Sequence, residues 1–99
     1  MSKPLQYRNK PVFVEAMRFY GDELVMAEVA RWCGGRVRSE EKASDHTDVA
    51  YWLDLPTLEG VMTAHRGDYV VKGAQGEFYP CKPGVFEATY ERVGMRGEA

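Results

Sequence analysis

The stretch DELVMAEVARWCGG, residues 22–35, decides the fold. Asp22 opens a helix, because an Asp carboxylate accepts hydrogen bonds from the free N–H groups of a first turn. At 100° per residue, Val25, Met26, Val29, Trp32 and Cys33 form one apolar stripe, while Glu23, Glu28 and Arg31 lie away from its centre. Gly34-Gly35 supplies the left-handed residue that often ends a helix. The spacing predicts an amphipathic helix over residues 22–33, its stripe packed on a sheet.

Outward from that helix the chain reads as strands. PVFVEAMRF (residues 11–19) sets Val12, Val14 and Ala16 on one alternating set and Phe13, Met17 and Phe19 on the other. Apolar residues on both sets predict a central strand covered on both faces. Residues 36–38 read as a short strand, and the polar SEEKASDHT (residues 39–47) as an exposed, mobile loop. VAYWL (residues 49–53) is a strand that Leu55-Pro56-Thr57 breaks. Residues 58–64, 68–72 and 77–81 are three short extended runs separated by His65-Arg66-Gly67 and Gly73-Ala74-Gln75-Gly76, a β-meander pattern. Pro83 suits the first turn of a short helix ending near Tyr90. Residues 91–93 read as an edge strand, and residues 1–10 and 94–99 as flexible flanks. The expected architecture is one α+β domain over residues 1–99. A twisted, mostly antiparallel sheet packs the amphipathic helix, and a short helix follows near the C-terminus.

Composition narrows the function classes. The 99 residues carry 13 Lys+Arg against 15 Asp+Glu, so the net charge is −2 and no partner class is selected by charge. Nucleic-acid-binding domains are usually visibly basic, and only the first twenty residues (Lys3, Arg8, Lys10, Arg18 against Glu15) lean that way. The apolar share of 44% argues against a disordered tail. No run approaches the ~18 apolar residues of a membrane span, and MSKPLQYRNK lacks the apolar region of a secretory signal. The expected compartment is the cytoplasm, with Cys33 and Cys81 as thiols.

Motifs for chemistry are sparse. The metal-ligating types Cys33, His46, His65 and Cys81 lack the close pair that zinc sites use, so neither a metal nor a cofactor is expected. His46-Thr47-Asp48 lacks the proton-moving Glu of a zinc deaminase, and Pro80-Cys81-Lys82-Pro83 lacks its second Cys. Cys81 with His65 is the one nucleophile–base pair worth naming, yet nothing in the sequence orients it. Glu40-Glu41 falls in the expected mobile loop, and Glu59, Asp68, Glu77 and Glu87 are too scattered to read as an acid–base pair. Arg66-Gly67-Asp68 spells an adhesion tripeptide, but it reads better as a turn that Gly67 bends and Asp68 caps. Tyr69, Phe78, Tyr79, Phe86 and Tyr90 are interleaved with Arg66, Lys72, Lys82 and Arg92, which suits either a two-sided sheet core or a face that stacks a nucleotide-like ligand.

Residues 57–90 read TLEGVMTAHRGDYVVKGAQGEFYPCKPGVFEATY. This text resembles a family of small, uncharacterised bacteriophage and prophage proteins. Its pattern runs approximately T-L-E-G-x-M-x-A-x-x-G-D-[YW]-[VI]-[VI]-x-G-x-x-G-E-[FY]-Y-P-C-K-P-x-x-F-x-x-T-Y-E. Residues 7–19 (YRNKPVFVEAMRF) resemble the family's start, so the likeness covers nearly the whole chain. Arg66 stands where the family often has Pro, which weakens any need for a rigid turn there. The resemblance implies a phage accessory protein in the bacterial host cytoplasm and carries over no catalytic residue. Two functions follow as expectations. The first is a non-enzymatic module that binds and modulates a host protein. The second is a small-ligand, nucleotide-like binder. The binding residues expected for either are Arg66, Asp68, Tyr69, Lys72, Glu77, Tyr79, Cys81 and Lys82, around the hairpin turns. An enzyme using Cys81 or a carboxylate is the third and weakest expectation.

Overall fold

The computed structural model describes residues 3–8, 10–42 and 48–93. Among these residues six antiparallel strands and two helices form a small α+β fold: β1 (Glu15–Arg18), α1 (Glu23–Cys33), β2 (Arg36–Lys42), β3 (Asp48–Thr57), β4 (Gly60–His65), β5 (Tyr69–Lys72), β6 (Phe78–Cys81) and α2 (Pro83–Thr89). Helix α1 starts and stops where its residues dictate. The Asp22 carboxylate accepts from the Val25 N–H (3.0 Å), and Gly34 closes the last turn at φ 72°. Met26, Val29, Ala30 and Cys33 are buried. Val25 and Trp32, the flanks of the expected stripe, are half-buried.

The strands divide into two sheets, in the orders β1-β5-β6 and β2-β3-β4. Consecutive strands of the second half are therefore antiparallel hairpins, β3–β4 and β5–β6. The β4-to-β5 step is a crossing between sheets, where a continuous meander was expected. Phe19, Met26, Val29, Leu53, Leu55, Ala64 and Val70 meet in one core between α1 and the two sheets.

Register fixes which side chains share a face, since residues directly opposite point the same way. In the first sheet Ala16, Arg18, Tyr69, Val71, Tyr79 and Cys81 share one face. Met17, Val70, Lys72, Phe78 and Pro80 share the other. Trp32 of α1 meets Phe78 edge-on at 5.0 Å, so α1 covers the second face. Phe86 of α2 stacks on Tyr69 at 3.9 Å, so α2 covers the first. This is why both Val70 and Val71 are fully buried.

Four sequence expectations need correction. β1 is an edge strand of four residues, and Val12 and Phe13 before it are exposed, so the apolar run 11–19 is not a central strand. Ser39 to Lys42 continue β2 opposite Tyr51 to Asp48. There backbone pairing along a two-stranded extension replaces the burial that the polar sequence does not offer. β3 runs through Pro56 to Thr57 because β2 ends opposite Asp54. Beyond that point one side of β3 has no strand needing a donor, which is where a strand tolerates proline. Residues 91–93 are not in a strand. Residues 43–47, with His46, and the C-terminal flank at 94–99 lie outside the described residues. Among those described, no helix is long and apolar enough to cross a membrane.

Candidate functional site

The turn His65-Arg66-Gly67-Asp68 joins the two sheets. Gly67 sits at φ 103°, a conformation that other residues reach only with strain. The Asp68 N–H donates to the His65 carbonyl (2.9 Å), and the His65 N–H donates back to Asp68 Oδ2 (2.8 Å). The turn is then tied to the end of β1. The Phe19 N–H donates to the Asp68 carbonyl (2.8 Å), the Gly67 N–H donates to the Phe19 carbonyl (2.6 Å), and Arg18 Nε donates to the Gly67 carbonyl (2.9 Å). Arg66 reaches the Gly21 carbonyl, and its guanidinium lies 5.8 Å from the Tyr51 ring centroid. Asp68 is buried, at 5% exposure, and Lys82 Nζ stands 3.3 Å from its Oδ2. A buried carboxylate needs donors around it, and a main-chain N–H and an ammonium supply them here.

Glu77 works at the opposite end of the β5–β6 hairpin. Its Oε1 accepts the Gln75 N–H (3.0 Å), and its carbonyl accepts the Gly73 N–H (2.7 Å). A Cβ on residue 73 would collide with the Glu77 carboxylate, so the glycine makes room for the carboxylate that closes the turn.

The aromatic residues mostly satisfy one another. Tyr69 stacks on Phe86 and has the Arg18 guanidinium 5.3 Å from its centroid. Phe86 and Tyr90 are tilted at 5.1 Å. The hydroxyls of Tyr79 and Tyr90 meet at 3.2 Å, and burial together with that hydrogen bond pushes the Tyr79 phenol up to about 12. Lys72 lies 5.9 Å from the Phe78 centroid, on the other face of the sheet.

The eight residues named from sequence therefore do not form one site. Asp68, Tyr69, Cys81 and Lys82 gather at one end of the β5–β6 hairpin, with His65. Glu77 sits at the other end, Lys72 on the far face, and Arg66 turns toward α1. Cys81 stands opposite Tyr69, its thiol pushed up by burial and then by the Asp68 charge. A nucleophilic thiol requires the opposite shift. Nδ1 of His65 lies 3.4 Å from Lys82 Nζ and 3.8 Å from Asp68 Oδ2, and among the described residues no hydrogen bond joins His65 to Cys81. Cys33 and Cys81 are both free thiols. The described residues hold no group of three or more His, Cys, Asp or Glu arranged for a metal ion.

A different surface emerges between the edge strands β4 and β6. An open groove of about 390 Å³ is lined by Thr57, Leu58, Glu59 and Met62 on one side and by Glu77, Phe78, Tyr79 and Pro80 on the other. It joins two pieces of sequence that lie about twenty residues apart. Leu58 occupies the two-residue turn between β3 and β4 and is 82% exposed. Thr57 Oγ1 builds that turn by accepting the Glu59 N–H (3.0 Å) and donating to the Gly60 carbonyl (2.7 Å). Met62 lies opposite Leu55 on the core-facing side of β4, yet it is exposed at the groove. Glu59 and Glu77 give the groove negative charge, and among the described residues no cationic side chain lines it. Sequence reasoning missed Leu58 and Met62. The available signal was Leu58 itself, a large apolar residue in a hairpin turn where polar residues and glycine are usual.

Tyr69, Phe86, Tyr90 and Arg92 line a second open groove, of about 440 Å³, together with Val12 to Val14. Tyr79 lines the first groove and Tyr69 the second, while Lys72 and Lys82 line neither. No family model matches the chain, and neither a curated protein nor a solved structure matches it.

Proposed function

We propose that this chain is a non-enzymatic bacteriophage accessory protein that binds a host bacterial protein in the cytoplasm and modulates it, with the β4–β6 groove as the docking surface. The observation that carries this reading is the apolar lip of the groove. Leu58 and Met62 are exposed together beside Phe78, Tyr79 and Pro80. Apolar side chains clustered at an exposed rim are the usual mark of a protein-binding surface. The groove is also where the T-L-E-G-x-M and G-E-[FY]-Y-P segments of the resemblance meet. Most of the polar residues in that text already have structural partners: Asp68 with Lys82, and Glu77 with its own turn. Leu58 has no such duty.

The test is capture from the lysate of the bacterial host, with the wild-type chain and Leu58→Asp as paired baits. The reading expects a stoichiometric host protein on the wild type that is lost on Leu58→Asp, with the circular dichroism spectrum unchanged because position 58 is outside the core. Equal capture by both baits, or none by either, overturns it.

A second reading is favoured by the 440 Å³ groove, which falls within the usual size range of small-ligand pockets. A nucleotide-like ligand would contact Tyr90 and Arg92 there. It ranks second because Tyr69 already stacks on Phe86, so inserting a base between them costs that contact. A panel of nucleotides that leaves the melting temperature unmoved removes this reading.

A further inference from the structure

The molecule carries a second unpartnered apolar surface, and its chemistry is the complement of the first. Residues 3–8 and 10–14 precede β1 outside any helix or strand. Leu5 is 72% exposed and Tyr7 88%; Val12 and Phe13, at the arm's base, are also exposed and line the groove beside Tyr90. The cations of this arm are Lys3, Arg8 and Lys10, and residues 1–14 contain no acidic residue. The β4–β6 groove has an apolar floor of Leu58, Met62, Phe78, Tyr79 and Pro80 and two carboxylates, Glu59 and Glu77, with no cation among the described residues. Six of the exposed large apolar residues fall on these two surfaces.

We propose that a second copy of this chain is the groove's occupant in the free protein, with the basic apolar arm of each copy lying in the acidic apolar groove of the other. Leu5 and Tyr7 supply the apolar contacts, and Lys3, Arg8 and Lys10 face Glu59 and Glu77. Extended chain spans up to ~3.3–3.6 Å per residue, so an arm of this length reaches well beyond its own body. Reciprocal exchange buries both surfaces on both copies and closes the assembly at two, as an isologous contact does. The charge component makes the contact salt-sensitive, since exposed pairs are screened within a Debye length of about 10 Å at 0.1 M salt. This inference goes beyond the host-binding reading and needs no host protein.

The test is sedimentation velocity on the full chain, wild type and two variants. The arm variant is Leu5→Asp with Tyr7→Asp, and the groove variant is Leu58→Asp. All three positions are highly exposed, so the fold is retained, and circular dichroism checks this. The expected result is a wild-type species of twice the 11.2 kDa chain mass that weakens at high salt. Each variant sediments as a monomer. An equimolar mixture of the two variants regains a dimer, because one intact arm then meets one intact groove. A wild type that stays monomeric at high micromolar concentration, including one whose arm folds onto its own groove, overturns the proposal. So does a dimer that survives either variant, or a mixture that stays monomeric. Host capture lost on Leu58→Asp from a monomeric wild type would leave the host-binding reading standing while removing this one.

Discussion

Asp68→Ala should cost more stability than any other polar substitution in the β4–β5 turn. The Asp68 carboxylate is nearly buried and holds the His65 N–H at 2.8 Å and Lys82 Nζ at 3.3 Å. Removing it takes away the acceptor of the part-buried His65 N–H, and a hydrogen bond to a charged group contributes about 1.5–3 kcal/mol. The Lys82 ion pair adds at most about 1 kcal/mol, because the Lys82 side chain is 65% exposed and its charge is screened. The sum is about 1.5–4 kcal/mol, a large part of the roughly 5–15 kcal/mol typical of a domain. At about 4–8 °C per kcal/mol for a chain of this size, the melting temperature falls by roughly 6 °C or more. Asp68→Asn keeps an oxygen for the His65 N–H and should cost about 1 kcal/mol, in the range of one lost ion pair. Lys82→Met should cost less than about 1 kcal/mol. Urea unfolding of the three variants at neutral pH measures all of these. If Lys82→Met costs as much as Asp68→Ala, the ion pair and not the main-chain hydrogen bond holds the turn, and the reasoning fails. A cost below about 0.5 kcal/mol for Asp68→Ala would also refute it.

Three further outcomes follow from the same contacts. Gly73→Ala displaces the Glu77 carboxylate, so it should destabilise by about 1–2 kcal/mol, and Gly73→Ala with Glu77→Ala should cost clearly less than the two single changes added, as a double-mutant cycle will read. Tyr79 should titrate near 12 by phenolate absorbance. Its folded value is raised, so its contribution to stability is complete below the ordinary value near 10 and is lost as pH rises toward 12. Tyr90→Phe should lower the Tyr79 value only part of the way, because burial is the larger cause. Leu53→Ala empties the centre of the core and should cost about 2–5 kcal/mol by denaturant unfolding.

Legibility in the sequence followed the physics of each element. α1 was readable to the residue, because its cap, its stripe and its glycine stop are all local signals. The β5–β6 hairpin and the start of α2 at Pro83 were readable for the same reason. Strand partners were not. The apolar residues at 11–14 imply burial on both faces, yet the sheet order leaves β1 at an edge with its preceding residues exposed. Ser39 to Lys42 look like a loop because their pairing with β3 is made by backbone, which side-chain patterning does not report. Of the predicted site residues, Glu77 and Lys82 each serve a turn of the folded chain. Their duties are to the main chain of one turn and to the buried carboxylate of another, contacts that only the folded chain displays. The β4–β6 groove was hidden because its two walls come from different sheets.

The most direct test of the docking surface is site-specific photocrosslinking inside the bacterial host. A photoreactive residue replaces Leu58 in one version of the chain and Glu28, on the exposed side of α1, in another. The account predicts one discrete adduct with a host protein from position 58 and none from position 28. Adducts of the same pattern from both positions, or adducts from position 28 alone, would contradict it.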